Sequence, residues 1–214
     1  MTTELIKSSP QSRREAIIHA LELAHEEALR HCKCSLNRMP EYFMAVKVAE
    51  YIATRFKNFG YRLEASVRDT LQDIDFPGEQ IEELMNSPEL RGNGRFDLVL
   101  RTGKAGLPAH ILEFKRGSRS LHLATDISRL AFVCDRVKSG ARLETNYLVA
   151  TTRKTKEELE SQLREVDQQV AKARWLNEID FSLAAYKVLG KFTNKQFEVT
   201  DRDFAVAVFE VRYK

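Results

Sequence analysis

The chain contains 214 residues, of which 43% are apolar and 30% are charged, and its net charge is only +3. This composition is ordinary for a soluble globular protein and predicts one domain, extended at most by a helical element. No apolar run reaches membrane-spanning length, the polar N-terminus lacks a signal-peptide core, and three cysteines do not make a secreted disulfide framework. We therefore expect a cytoplasmic protein without a membrane partner.

The first predicted element is an amphipathic helix over residues 11–31. Ser9-Pro10 is typical of a helix start. Apolar residues at helical spacing then form one stripe: Ile17, Leu21, Ala24 and Ala28. We interpret residues 1–39 as a helical extension that packs on a core domain formed by residues 40–214. The run His31-Cys32-Lys33-Cys34 has no second Cys/His pair to complete a zinc site, which favours reduced thiols near a helix end.

A second helix is predicted to begin at Pro40 and to end at Gly60, which would serve as its C-terminal cap. Glu41 heads an apolar stripe in this helix, whereas Glu50 shares a face with polar residues and should be solvated. Residues 61–68 alternate and predict the first strand. The acidic segment over residues 69–90 is expected to contain a short helix around residues 79–85.

Two further strands are predicted over residues 94–101 and 110–117, joined by a Gly- and Pro-containing hairpin loop. Side chains two apart on a strand share a face, so Glu113 and Lys115 point the same way. A hairpin centred on Ala105 pairs Asp97 with Glu113 and Val99 with Ile111. Phe96, Leu98 and Leu100 are expected on the opposite face. The register therefore brings two carboxylates and one ammonium group together.

Two neighbouring carboxylates repel each other unless a cation lies between them, and a hard divalent ion such as Mg²⁺ accepts carboxylate ligands and keeps waters. The alternative interpretation is a surface hairpin in which Glu113 and Lys115 form weak cross-strand pairs. Val99 and Ile111 share the face with the charges, which favours a covered face with a site at its rim.

The C-terminal half predicts two helices and two strands. The expected helices cover about residues 125–138 and a long segment opened by the capping box Thr155-Lys156-Glu157-Glu158 and ending at Trp175. The expected strands cover residues 146–151 and 204–211 within the tail. The element order predicts an α/β protein with a mixed central sheet flanked by helices and an N-terminal helical element.

The Asp97 strand followed by Glu113-x-Lys115 resembles the PD-(D/E)xK nuclease superfamily, with Phe96 where many members have proline. The resemblance implies a restriction-endonuclease-like core and Mg²⁺ or Mn²⁺ held by Asp97, Glu113 and the carbonyl of Phe114. Lys115 would then orient the attacking water or stabilise charge in the transition state.

Superfamily members commonly carry a further acidic residue on a helix that precedes the signature strands. Glu41 is our candidate for this third carboxylate and a catalytic and metal-binding role. Glu50 and Glu64 remain open as alternatives. The competing explanation for Glu41 is that a carboxylate in the first turn of a helix is favoured by the helix dipole alone.

Cations are concentrated around the signature hairpin, because residues 91–119 hold seven Arg or Lys residues against Asp97 and Glu113. Such a basic rim suits a polyanion. The predicted nucleic-acid contacts are Arg95, Arg116, Arg119 and, on the following helix, Arg129. Arg129 has an alternative role in an i,i+3 pair with Asp126.

The function predicted from these residues and from the resemblance is divalent-metal-dependent hydrolysis of nucleic acid, with a DNA endonuclease preferred. The alternatives are a catalytically silent nucleic-acid-binding subunit with the same fold and a small α/β interaction protein. DNA is preferred to RNA as a partner, and a homodimer or a partner subunit stays open. Substrate structure, sequence specificity and pathway are left undetermined.

Overall fold

The computed structural model describes residues 5–74, 76–103, 105–137, 142–170 and 178–214. Its helices are α1 (Pro10–Cys32), α2 (Glu41–Arg55), α3 (Val67–Gln72), α4 (Gly78–Met85), α5 (Ser120–Arg136) and α6 (Lys156–Val170), with a 3-10 turn at Leu36–Arg38. Its strands are β1 (Phe59–Ser66), β2 (Arg95–Thr102), β3 (Leu107–Arg116), β4 (Thr145–Thr152), β5 (Ile179–Thr193) and β6 (Val199–Tyr213).

The six strands form one mixed sheet in the order β1-β2-β3-β4-β6-β5. β3 and β4 are parallel and are connected through α5, whereas the other neighbouring pairs are antiparallel. The predicted class, a mixed α/β protein with helices flanking a central sheet, is confirmed. None of the helices in the described residues is long and apolar enough to cross a membrane.

Two apolar cores cover the two faces of the sheet. On one face α1 and α2 pack on residues such as Leu98, Leu112 and Phe114. On the other face α5 and α6 pack on residues such as Val99 and Ile111. Since both faces are covered, β3 and β4 are buried along most of their length, as parallel strands usually are.

The helix α1 shares the first core with α2, because its buried residues Ile17 and Leu21 belong to the same cluster as Val48 and Ile52. Its capping residue, Ser9, accepts a hydrogen bond from the Ser12 backbone, as expected for a helix that begins at Pro10. The interpretation of residues 1–39 as an extension of a separate core domain remains a prediction.

The predicted hairpin register is confirmed from Leu98 to Leu100, with Val99 opposite Ile111 and Leu98 opposite Leu112, but toward the turn the pairing shifts by one residue and Arg101 faces Pro108. The predicted position of Phe96 on the same face as Leu98 is wrong, since Phe96 packs in the α5-side core. On the neighbouring strand β1, Glu64 has a φ of 47°. A residue at positive φ interrupts the alternation of side chains between the two faces of the sheet. At this level the side chains of both β1 and β2 switch to the face opposite to the one that alternation predicts.

Three other predictions about elements are corrected. The helix α2 ends at Arg55, and Gly60 lies inside β1 rather than at a helix cap. The helix α5 begins at Ser120, five residues before the predicted start. The long edge strand β5 was missed because three irregularities in its pairing interrupt the two-residue period. The predicted end of the last helix at Trp175 lies outside the described residues.

Candidate functional site

The predicted acidic pair and lysine lie at the end of the β2–β3 hairpin, where β2 begins and β3 ends. The Asp97 carboxylate accepts a hydrogen bond from the backbone N–H of Phe114, with a distance of 2.7 Å between Oδ2 and N. Asp97 and Lys115 are half-buried, and Glu113 is buried with 2% exposure. The side chain of Asp97 therefore reaches across to the strand that carries Glu113 and Lys115.

Glu113 is held by Arg129, which projects from α5. The Arg129 Nη1 atom lies 2.7 Å from Glu113 Oε1, and both side chains are buried. The same guanidinium donates through Nε to the carbonyl of Leu90 at 3.0 Å and through Nη2 to the carbonyl of Arg95 at 3.1 Å. It also lies over the ring of Phe96, 4.5 Å from the ring centroid. Arg129 therefore connects α5, the loop before β2 and the acidic residue of β3.

Burial of Arg129 does not suit the predicted direct contact with a phosphate. Arg129 is 4% exposed, and its guanidinium is already engaged with Glu113 and two backbone carbonyls. The alternative pair with Asp126 also does not describe its position, because Asp126 faces Lys115 and Arg91 instead. Arg129 is best described as the residue that positions Glu113.

Asp126 is an acidic residue of this site that the sequence reasoning did not identify. It is 2% exposed, its Oδ2 atom lies 3.6 Å from Lys115 Nζ, and its Oδ1 atom lies 3.8 Å from Arg91 Nη1. Burial raises the pKa of Asp126, and the neighbouring cations Lys115, Arg91 and Arg129 oppose that shift. The sequence signal for this residue is its place on α5 one turn before Arg129, but that spacing by itself indicates only a local i,i+3 pair.

Glu41, at the start of α2, reaches the end of β3. Its Oε1 atom accepts a hydrogen bond from the backbone N–H of Arg116 at 2.7 Å, and Glu41 is half-buried. Glu50 and Glu64 are exposed, and the expected solvation of Glu50 is confirmed. Among the three candidates for a third carboxylate, Glu41 is therefore the one that contacts β3, the strand of Glu113 and Lys115, whereas Glu64 is exposed on β1, which pairs with β2.

The pKa of Glu113 is raised because the residue is buried and lies close to another carboxylate. Burial raises its pKa well above the ordinary value, and the charge of Asp97 raises it further. Arg129 and Lys115 act in the opposite direction but do not cancel this effect. Since two close carboxylates cannot both ionise cheaply, the site favours either a proton or an added cation.

The pKa of Lys115 moves in the direction that preserves its charge. Burial acts to lower the pKa, but four carboxylates, of Asp126, Glu113, Asp97 and Glu41, outweigh it and the pKa is raised. A permanently protonated amine cannot be a metal ligand because it has no lone pair to offer. It can hold a phosphate oxygen or a water.

The donor set fits a hard divalent cation in its chemistry, because carboxylate and carbonyl oxygens are the ligands that Mg²⁺ accepts. The carboxylates of Asp97 and Glu113 and the backbone carbonyl of Phe114 would supply the oxygen ligands of this cation. Within the described residues, no three His, Cys, Asp or Glu side chains are grouped closely enough to hold a metal by themselves. Waters or substrate oxygens would have to complete the shell, as is usual for Mg²⁺.

An open cleft of about 1170 Å³ begins at Glu41 and Lys115 and extends across the ends of β3 and β4 to the β5–β6 turn. The predicted contact residues Arg116 and Arg119 line it and are exposed. Arg95 is also exposed but does not line the cleft.

The cleft contains five further cations that sequence reasoning did not identify: Arg38, Arg153, Lys154, Lys195 and Arg202. They come from the turn after α1, the loop after β4 and the β5–β6 hairpin. No spacing in the sequence connects these segments, so only the fold brings them together. They enlarge the basic surface far beyond the signature hairpin.

Comparisons of this chain with protein-family models, with curated proteins and with solved structures found no match.

Proposed function

We propose that this protein is a divalent-metal-dependent nuclease with a restriction-endonuclease-like core, and that its preferred reaction is endonucleolytic cleavage of DNA. The observation that carries the proposal is the convergence of Asp97, Glu113 and Lys115 at one hairpin end, next to a basic cleft. The raised pKa of Glu113 supports it further, because a cation bound between the two carboxylates would relieve their repulsion.

Each residue has a distinct role in the proposed reaction. Asp97, Glu113 and the Phe114 carbonyl hold Mg²⁺ or Mn²⁺, and Glu41 adds negative charge at the edge of the site. The metal supplies a more acidic bound water and neutralises charge on the scissile phosphate. Lys115 contributes a compact positive charge that orients the nucleophile or stabilises the transition state.

Two residues act through their neighbours. Asp126 keeps Lys115 protonated and limits its movement, since the two charged groups are 3.6 Å apart. Arg129 fixes the carboxylate of Glu113 by a charged hydrogen bond that is buried from solvent. Arg95, Arg116 and Arg119 are exposed and contribute binding to the phosphate backbone rather than chemistry.

The decisive assay is incubation with supercoiled, linear and single-stranded DNA in the presence of Mg²⁺, Mn²⁺ or EDTA. We expect metal-dependent nicking that Asp97→Ala and Lys115→Ala each abolish or reduce by orders of magnitude, because the proposed reaction needs both an anionic metal ligand and a compact positive charge beside it. Lys115→Ala should still bind DNA, and calorimetry should still detect Mn²⁺. Lys57→Ala is the matched control, since Lys57 is an exposed lysine outside the cleft and should retain full activity. Full activity in Lys115→Ala would refute this assignment of the site.

A second candidate function is a nucleic-acid-binding subunit that does not cleave. The observation that favours it is the close pair between Arg129 and Glu113, which occupies one oxygen of a proposed metal ligand. The same assays separate the two candidates, because a silent subunit binds DNA in a salt-dependent manner but never releases cleaved product with either metal.

A further inference from the structure

The cations that line the cleft have few counter-ions among the residues that the structure describes. Eight Arg or Lys residues line the cleft against two carboxylates, Glu41 and Glu158. Within the described part of the chain, Lys115 alone among these eight lies within ion-pair distance of a carboxylate. Several cations outside the cleft are paired, as Arg14 is with Glu210 and Lys47 with Glu27.

Such a concentration of uncompensated like charge disfavours the folded state and creates a strong positive potential in a concave surface. A bound polyanion removes that cost, and its own counterions are released on binding. The charge pattern therefore points to a polyanion that is long enough to contact several parts of the cleft at once.

Two arginines of the cleft lie over aromatic rings. The Arg38 guanidinium is 5.0 Å from the centroid of the Phe197 ring, and the Arg153 guanidinium is 4.8 Å from that of Phe192. Phe197 is 57% exposed at the β5–β6 turn, and the Nε atom of Arg38 is buried without a hydrogen-bond partner within the described residues. The exposed ring of Phe197 and the two guanidinium planes offer stacking surfaces beside the cations of the cleft, whereas Phe192 packs partly against the core.

A positively charged groove combined with aromatic and arginine planes is the arrangement that binds single-stranded nucleic acid, because unpaired bases expose their faces for stacking. The bases of a duplex are stacked on each other and cannot use such surfaces. The cleft also leads directly to Glu41 and Lys115, so a strand that follows it would enter the proposed catalytic site.

We propose that the cleft binds a single strand of nucleic acid and that the substrate of this protein carries a single-stranded segment. The part of the inference that concerns cleavage rests on the proposed nuclease function, whereas the binding itself does not. The residues that carry it are the cleft cations Arg38, Arg153, Lys195 and Arg202, together with Phe197, which lies beside the cleft under the Arg38 guanidinium.

The test measures the binding of a fluorescent 20-nucleotide oligothymidylate and of a blunt 20-base-pair duplex by anisotropy, in EDTA and at several salt concentrations. We expect the single strand to bind at least about tenfold more tightly than the duplex at equal salt. The double variant Arg153→Glu/Arg202→Glu should weaken that binding by more than tenfold and reduce the salt slope by roughly 1.4, about 0.7 for each lost phosphate contact.

The matched control is Lys57→Glu/Arg164→Glu, which makes the same change in net charge at exposed positions outside the cleft and should leave the slope unchanged. Phe197→Ala should weaken binding of the single strand by about tenfold and leave binding of the duplex unaffected. The proposal is overturned if the duplex binds as tightly as the single strand or if the cleft variants behave like the control. It is also overturned if two results occur together: Phe197→Ala has no effect on binding, and inorganic polyphosphate displaces the strand when both are present at the same concentration of negative charge. The cleft would then recognise charge alone.

This experiment also separates failure of the inference from failure of the nuclease assignment. Single-strand binding in EDTA together with no cleavage in Mg²⁺ or Mn²⁺ would refute the nuclease and leave the binding site standing. Metal-dependent cleavage of DNA without preference for single strands would leave the nuclease and refute the inference.

Discussion

Replacement of Arg129 by methionine should destabilise the protein by about 4 kcal/mol, because removing one partner of a buried ion pair leaves the other without compensation. The Arg129 guanidinium makes a 2.7 Å contact with Glu113 and donates to the carbonyls of Leu90 and Arg95 at 3.0 and 3.1 Å. Methionine keeps much of the apolar stem but leaves all three acceptors without this donor. For a chain of this length the loss corresponds to a fall of roughly 8–16 °C in melting temperature.

The partner substitution Glu113→Gln should behave differently and change stability by less than about 1 kcal/mol. Glutamine retains an oxygen that accepts a hydrogen bond from Arg129, and it removes a charge that the folded state disfavours. The sign follows from the direction of the pKa shift. A carboxyl group whose pKa is raised on folding contributes stability at low pH that is lost as the pH rises through the folded pKa. Any advantage of Glu113→Gln should therefore increase with pH.

The assay is urea unfolding of wild type, both single variants and the double variant, followed by circular dichroism at two pH values. Because Glu113 and Arg129 are in contact, the double variant should cost less than the sum of the two single costs. Arg164→Met, an exposed position on α6, is the control and should change stability by no more than about 0.5 kcal/mol. A cost below 1 kcal/mol for Arg129→Met, or equal costs for the two single variants, would refute this reasoning.

Three further outcomes are expected. Gly92→Ala should lower the free energy of unfolding, measured with urea, by about 2 kcal/mol or more, because a Cβ atom there would overlap the Met85 backbone. Gly60→Ala, which meets open space, should cost less than about 0.5 kcal/mol, and similar costs would contradict the packing argument. Burial lowers the pKa of His110 to about 3, so its contribution to stability is present above the unfolded pKa near 6.5 and is lost as the pH falls toward 3. Between pH 7 and pH 5 the free energy of unfolding of the wild type should fall by roughly 1–2 kcal/mol more than that of His110→Gln. Parallel pH profiles of the two proteins would show that the ring titrates normally. Lys115→Arg should restore little of the nicking lost in Lys115→Ala, since a planar guanidinium cannot place a compact charge at the same point, and full rescue would indicate a role in binding only.

Local patterns were sufficient for most elements near the candidate site. The alternation around Val99 and Ile111 determined the hairpin register, because a shift by one residue would have moved apolar side chains out of the core. The stripe headed by Glu41 likewise predicted which face of α2 is buried, and Ala45 and Val48 are indeed inside the core. Alternation failed at Phe96, where the strand changes face beside the positive φ of Glu64.

The sequence by itself determined the hairpin, its pair of carboxylates and the neighbouring lysine, because strand periodicity acts over a few residues and is visible in the chain. Only the tertiary structure decided which groups surround them. Arg129 moved from an expected phosphate contact to a buried partner of Glu113, and Asp126 became the partner of Lys115, because the packing of α5 on the sheet selects their neighbours. The basic cleft is likewise a product of the tertiary structure. Its cations belong to segments distant in sequence, and sheet order with parallel pairing of β3 and β4 brings those segments to one edge.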